Sequence, residues 1–159
     1  ITAHTVDDLR ALNLAVIPVR YPDQFYHDLV EALPREMSAL VYAGAQAVAA
    51  LCCRPEPYLG EPVRIYIMTL GVLASYRRVG LASVLIEYLI RYCRAQSHID
   101  HICLHMETSN AGALHFYRRY GFRIADRVEH YYTHRKNEPM SPAYFLVLDM
   151  HSLRASPSR

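Results

Sequence analysis

From His101 to Glu107 the chain alternates without a break: Ile102, Leu104 and Met106 fall on one side, and His101, Cys103, His105 and Glu107 on the other. A period of two belongs to a strand with one apolar and one polar face. This strand lies between two stretches of helical spacing. Before it, a helix of about fifteen residues is predicted from Val79. That stretch is apolar nearly all round, which predicts heavy burial. After it, Asn110 is placed to cap a helix that runs to about Tyr120 and ends at Gly121.

The rest of the chain extends this plan. Thr5-Val6-Asp7-Asp8 resembles a capping box, with Asp8 in the place of Glu or Gln. It opens a helix to about Val16, with Val6, Leu9, Leu12 and Val16 as its apolar stripe. Ile17-Pro18-Val19 breaks that helix, because proline disfavours helical geometry in the residue before it. A second short helix is expected from Pro22 to about Leu33, where Pro34 stops it. Ala39–Tyr42 and Ala45–Cys53 flank Ala43-Gly44 as a hairpin. Pro55, Pro57 and Gly60 mark a loop, and Arg64–Val72, rich in Ile, Tyr and Val, reads as a strand. Arg123–Val128 and Ala143–Met150 give two more strands, joined by a long loop from Glu129 to Pro142. The order of elements implies an α/β fold, a mixed sheet with helices on both faces. One domain is expected over residues 1–151, with a Ser/Arg-rich disordered tail over 152–159.

Composition narrows the classes of function. The 17 basic and 15 acidic residues nearly cancel, for a net charge of +2. That balance argues against bulk binding to nucleic acid or a membrane surface. No apolar run reaches the ~18 residues that span a bilayer, and the start at Ile1 carries no secretory apolar core. A cytoplasmic protein is therefore expected. The cysteines at 52, 53, 93 and 103 form no CxxC pair, so reduced, partly buried thiols are expected. The 9 histidines raise the question of a metal. On a strand, however, His101 and His105 stand ~13 Å apart, too far to share an ion. No metal is expected.

The segment from Leu70 to Ala82 carries the most chemical information. A strand ends, a turn holds Arg77, Arg78 and Gly80, and a helix begins. The unpaired N–H groups and positive end of a helix attract anions. Gly80 lets backbone come close to a diphosphate, and the two arginines add charge-assisted donors. On these residues alone, a phosphate cradle and a plain strand-to-helix turn with solvated arginines are equal readings.

A resemblance decides between them. Arg77-x-x-Gly80-x-Ala82 is similar to the Q/R-x-x-G-x-G/A signature with which GNAT acetyltransferases hold the pyrophosphate of coenzyme A. Asn110-Ala-Gly-Ala-Leu-His-Phe116-Tyr117-Arg-Arg-Tyr-Gly121-Phe122 resembles the family's second signature. In that family the asparagine and tyrosine approach the thioester end of the cofactor. Pro18-Val19-x-Tyr21, Tyr66-Ile-Met68-Thr-Leu-Gly71, Leu104-His105 and Tyr131-Tyr132 narrow the resemblance to the NatE type of N-terminal acetyltransferase, over nearly the whole chain. The resemblance implies a GNAT fold, with about seven strands and about four helices. It implies acetyl-CoA held by Leu70, Val72, Arg77, Arg78, Val79, Gly80, Leu81, Ala82, Ser83, Asn110, Phe116 and Tyr117. It implies Tyr66 and His105 as the catalytic pair. A peptide slot would be made by Ile17, Pro18, Val19, Tyr21, Met68, Tyr131 and Tyr132, for N-termini that begin with Met and a hydrophobic residue. Two departures fall on that slot. Ile17 stands where the family commonly has Phe, and the loop after Tyr132 is longer.

The chemistry of the pair agrees. A protein α-amine, which ordinarily titrates near ~8, must lose a proton before it attacks a thioester. An imidazole near ~6.5 can take that proton directly or through water, whereas a phenol near ~10 is a poor base. His105 is thus the expected base, with Tyr66 positioning water or protonating the leaving thiolate. Backbone N–H near Leu70 could stabilise the oxyanion. Without the resemblance, a solvent-facing strand histidine and a packed core tyrosine account for the same residues. Two other functions stay open. One is acetylation of lysine side chains. The other is a coenzyme A-binding subunit that docks onto a larger N-terminal acetyltransferase complex at the ribosome.

Overall fold

In chain order the elements are α1 (Val6–Val16), α2 (Asp23–Glu31), β1 (Ala39–Ala43), β2 (Gln46–Pro57), β3 (Val63–Val72), α3 (Leu81–Arg94), β4 (Ile99–Glu107), α4 (Ala111–Arg119), β5 (Arg123–Tyr132), β6 (Ser141–Asp149) and α5 (Met150–Ala155). The computed structural model describes residues 1–17, 19–57, 63–133 and 140–155. Among them, six strands form one mixed sheet in the order β1-β2-β3-β4-β6-β5. The sheet has six strands against the expected seven or so, and α5 is the fifth helix. Two compact units hold these elements: Ile1–Pro55 with Ile67–Gln96, and Glu56–Tyr66 with Ser97–Arg159.

In the first unit, Leu9 and Leu12 of α1, Tyr26 and Leu29 of α2, and Ala47, Ala50 and Cys52 of β2 form one buried cluster. The stripe read on α1 supplies it, with Val6 and Val16 at its margin. Alanines on β2 let the helices approach the sheet closely. Gly71 on β3 does the same for the end of α1. A Cβ at Gly71 would lie 2.6 Å from Val16 Cγ2, closer than real side chains pack.

Three expectations for this unit are corrected. The Thr5 hydroxyl makes no helix cap; it bonds back to the Thr2 amide at 2.9 Å. Asp8 instead accepts from the Tyr42 hydroxyl at 2.7 Å. β2 continues through Pro55 to Pro57, where a loop was expected. β1 pairs with β2 only as far as Leu51, so Pro55 sits where that edge requires no N–H donor. Finally, α3 buries only Leu85, Ile86, Leu89 and Cys93, and Val84 is 58% exposed. Its other apolar-looking positions include tyrosines with polar ends. The Tyr88 hydroxyl, for example, donates to the Glu36 carbonyl at 2.6 Å.

In the second unit, β4 runs parallel to β3 from Val63↔Ile99 to Tyr66↔Cys103. It runs antiparallel to β6 from His101↔Asp149 to Glu107↔Ala143. Cross-strand pairs Ile102↔Leu148 and Leu104↔Leu146 make the apolar face, all of them buried. Asn110 caps α4 as expected, its Oδ1 accepting from the Ala113 amide at 3.0 Å. β5 extends to Tyr132 rather than stopping at Val128. A register shift between Val128 and Tyr132 and a left-handed His130 (φ 54°) break the period there, so the sequence read as loop.

The segment read as tail from Ser152 opens in an ordered element over its described residues. Met150–Ala155 is a short helix with Met150 buried. The Asp149 carboxylate accepts from the His151 and Ser152 amides at 2.8 and 3.4 Å, and Arg154 donates to the Ile99 carbonyl at 2.8 Å. Residues 156–159 lie outside the described residues.

Candidate active site

Tyr66 and His105 meet in the second unit. Both lie on the polar-side face of their strands, and Tyr66 is paired in register with Cys103, two residues before His105. The Tyr66 hydroxyl is 3.0 Å from His105 Nδ1 and 3.4 Å from the Tyr131 hydroxyl. Tyr131 stacks on the His105 ring, with centroids 4.3 Å apart and planes at 12°. Tyr132 packs edge-on against Tyr131 at 4.8 Å. The bulge that hid this part of β5 from the sequence reading is what turns Tyr131 onto His105.

Burial acts on the two groups in opposite directions. It pushes the Tyr66 phenol well above its ordinary value, and the hydrogen bond and charge of Tyr131 push it further. It pushes the His105 imidazole below its ordinary value; Glu56 pulls it back up, Arg64 pushes it down, and Asp126 pulls it up. Both effects favour the neutral form, because a low-dielectric site disfavours charge. At neutral pH the pair is therefore a protonated phenol beside a neutral imidazole. In the ring tautomer that carries its proton on Nε2, the phenol donates and Nδ1 accepts.

Two neighbours of His105 were not singled out in the sequence. Phe145 lies directly across from it in the β4–β6 register, with ring centroids 4.8 Å apart. Arg64 places its guanidinium 5.8 Å from the Phe145 ring and pairs with Glu56 at 2.8 Å. Cross-strand register supplies these contacts, and no local motif announces it.

The expected anion cradle lies in the first unit. Gly80 is the N-cap of α3 in left-handed geometry, φ 91°, and no side chain caps the helix. The helical ladder starts with the Val84 amide donating to the Gly80 carbonyl at 3.0 Å. The amides of Leu81, Ala82 and Ser83 precede that first bond, as helix starts require. Arg78 is also left-handed (φ 65°), a conformation costly for a side-chain-bearing residue. Arg77 donates its Nε to the Val72 carbonyl at 3.1 Å, which ties its guanidinium to the end of β3. Val79 is 68% exposed. The second signature lies in the other unit, where Asn110 caps α4 and Tyr117 packs edge-on against Phe116 and Phe122, each at 5.2 Å.

The residues expected to form the peptide slot are placed unit by unit. In the first, Tyr21 stacks on Phe25 at 4.3 Å, and Tyr21 and Met68 both pack on the α1–α2 cluster. Ile17 is half-buried, and Val19 is 44% exposed. Pro18 lies outside the described residues. In the second unit, Tyr131 stands beside Tyr66 and His105, with Tyr132 packed against it. Among the described residues, His, Cys, Asp and Glu form no group of three or more that could hold a metal ion.

Comparison with known proteins gives the family. Residues 6–122 match the Acetyltransferase (GNAT) family. The chain is 37% identical to the probable N-acetyltransferase san of Drosophila melanogaster, over 99% of this chain and 82% of that protein. It is 36% identical to N-alpha-acetyltransferase 50 of Danio rerio, over 99% of this chain and 90% of that protein. Among solved structures it superposes on Arabidopsis thaliana Naa50 in complex with the bisubstrate analogue CoA-Ac-MVNAL. The TM-score is 0.81 and the identity 34%, over 93% of this chain and 94% of that one. With both signatures in place, and a family match over most of its length, this chain belongs to the GNAT family of acetyltransferases.

Proposed function

We propose that the protein transfers an acetyl group from acetyl-CoA to the α-amine of protein N-termini, above all those that begin with Met and a hydrophobic residue. The observation that carries this reading is the 3.0 Å contact between the Tyr66 hydroxyl and His105 Nδ1. The names of the two relatives and the peptide of the analogue bound by the Naa50 neighbour, which opens Met-Val, support it.

The turn before α3 fits coenzyme A: an uncapped helix start behind a side-chain-free Gly80 can take the diphosphate. Arg77–Ser83 with Leu70 and Val72, and Asn110, Phe116 and Tyr117, are the residues assigned to hold it. Acetyl-CoA supplies the activated acetyl group. The chain's own residues handle the proton. The α-amine, with a pKa of ~8, arrives largely protonated at neutral pH. Its proton passes to the Tyr66 oxygen as the Tyr66 hydroxyl proton passes to His105 Nδ1. Phenolate never has to accumulate, and burial leaves the imidazole neutral and ready to accept. Ile17, Pro18, Val19, Tyr21 and Met68, with Tyr131 and Tyr132, are assigned to the peptide. Burying an apolar first side chain there gains roughly 1.5–3 kcal/mol, and a charged one would be desolvated at a cost. The cytoplasm, alone or within a larger acetyltransferase complex at the ribosome, is the setting this reading assigns. No described helix is long and apolar enough to cross a membrane.

The test is acetyl transfer to a Met-Leu peptide, a Ser-Glu peptide, and a lysine-containing peptide with a blocked N-terminus. Met-Leu should be fastest and the blocked peptide inert. Tyr66→Phe and His105→Ala should each lower kcat by ~10²–10⁴, and the double variant little further, since both serve one proton path. Equal rates on blocked and unblocked peptides would move the activity to lysine side chains.

A further inference from the structure

The Glu56–Arg64 ion pair lies in the same unit as His105 and acts on its ring. Arg64 Nε and Nη2 both reach Glu56 Oε2, at 2.9 and 2.8 Å. The pair is mostly withdrawn from water, with side chains 32% and 18% exposed. A pair in that position repays little of its desolvation cost as stability, and apolar residues could fill the same space. Its placement is specific nonetheless. The guanidinium lies 5.8 Å from the Phe145 ring, and that ring lies 4.8 Å from the ring of His105. Phe145 is the cross-strand partner of both His105 and Asp126, so directly opposed side chains run from β4 through β6 to β5 on one face.

We propose that Glu56, Arg64 and Phe145 are positioning residues for His105: Phe145 fixes the ring, and the two opposed charges set its affinity for a proton. This rests on the reading of His105 as the base. The other titratable or charged groups around the imidazole are Tyr66 on β3, Asp126 and Tyr131 on β5, and Cys103 and Glu107 on β4; β6 presents Phe145. Burial is the largest influence on the ring; among the charged groups Arg64 disfavours the imidazolium, and Glu56 and, more weakly, Asp126 favour it. Together they hold the ring's basicity between two limits. Without Glu56 the ring would take a proton less readily, and without Arg64 more readily.

The experiment follows the His105 ring by NMR titration in the full chain, beside the pH profile of kcat. Arg64→Met removes the cation and should raise the His105 pKa by roughly 0.5–1 unit. Glu56→Gln removes the anion and should lower it by a similar amount. Arg64→Lys keeps the charge and should leave it near the parent value. A purely structural pair predicts no shift, or shifts of one sign in both single variants, and either outcome overturns the proposal. Should one variant fail to fold, the direction of shift in the other decides. Opposed NMR shifts that the acid limb of kcat does not follow would uphold the tuning while removing His105 as the base.

Discussion

Burial drives Tyr66 and His105 apart in acidity, the phenol up and the imidazole down, so at neutral pH neither carries a charge. The pH profile should show it. The acid limb of kcat should lie below ~6.5, the ordinary value for histidine, and a limb at or above that value would contradict the site. Stability carries the same sign. The native pKa of His105 lies below its unfolded one, so its contribution is complete above ~6.5 and is lost as pH falls through the native value. His105→Gln should therefore lose less stability between pH 7.5 and pH 5 than the parent does, read as the change in urea midpoint. Both members of the pair were legible in the sequence, Tyr66 and His105 by strand parity and resemblance. Phe145 and Arg64 were not, because their contacts with the site come from register between strands far apart in the chain.

At the scale of elements, the contact between α1 and β3 is the tightest point in the first unit. Gly71→Ala would drive a methyl to within 2.6 Å of Val16 Cγ2. Valine is stiff at χ1, so α1 must shift, at about 1–3 kcal/mol of overpacking. Residues 17–21 follow directly from the end of α1, so KM for a Met-Leu peptide should rise more than kcat falls. Adding Val16→Ala should restore most of the loss; no recovery in the double variant would place the strain elsewhere. The long alternations of β3 and β4 and the Asn110 cap were readable because their signals are local. The absence of a cap from Thr5, the reach of β5 to Tyr132 and the helix α5 were not. Each depends on a partner that sequence spacing does not reveal: Thr2 for Thr5, β6 for the bulged β5, and the Ile99 carbonyl for Arg154.

For the whole molecule, binding of acetyl-CoA is linked to folding. A ligand at a hundredfold excess over its Kd stabilises the native state by about 2.7 kcal/mol, which for a chain of this length is a Tm rise of roughly 5–10 °C. The parent should show that rise in a thermal melt. Arg77→Glu should reduce it by repelling the diphosphate. Gly80→Ala should also reduce it, while lowering the Tm of the unliganded protein, since φ 91° suits only glycine. An unchanged rise in both variants would place the coenzyme elsewhere. The cysteines, finally, give the native state a clock. Cys52, Cys53, Cys93 and Cys103 are all 0% exposed, and burial pushes the Cys52 thiol up to about 12, far from the reactive thiolate. An alkylating reagent can therefore mark them only when the chain opens. Peptide mapping of the label would time the opening of the first unit at Cys52, Cys53 and Cys93, and that of the second at Cys103.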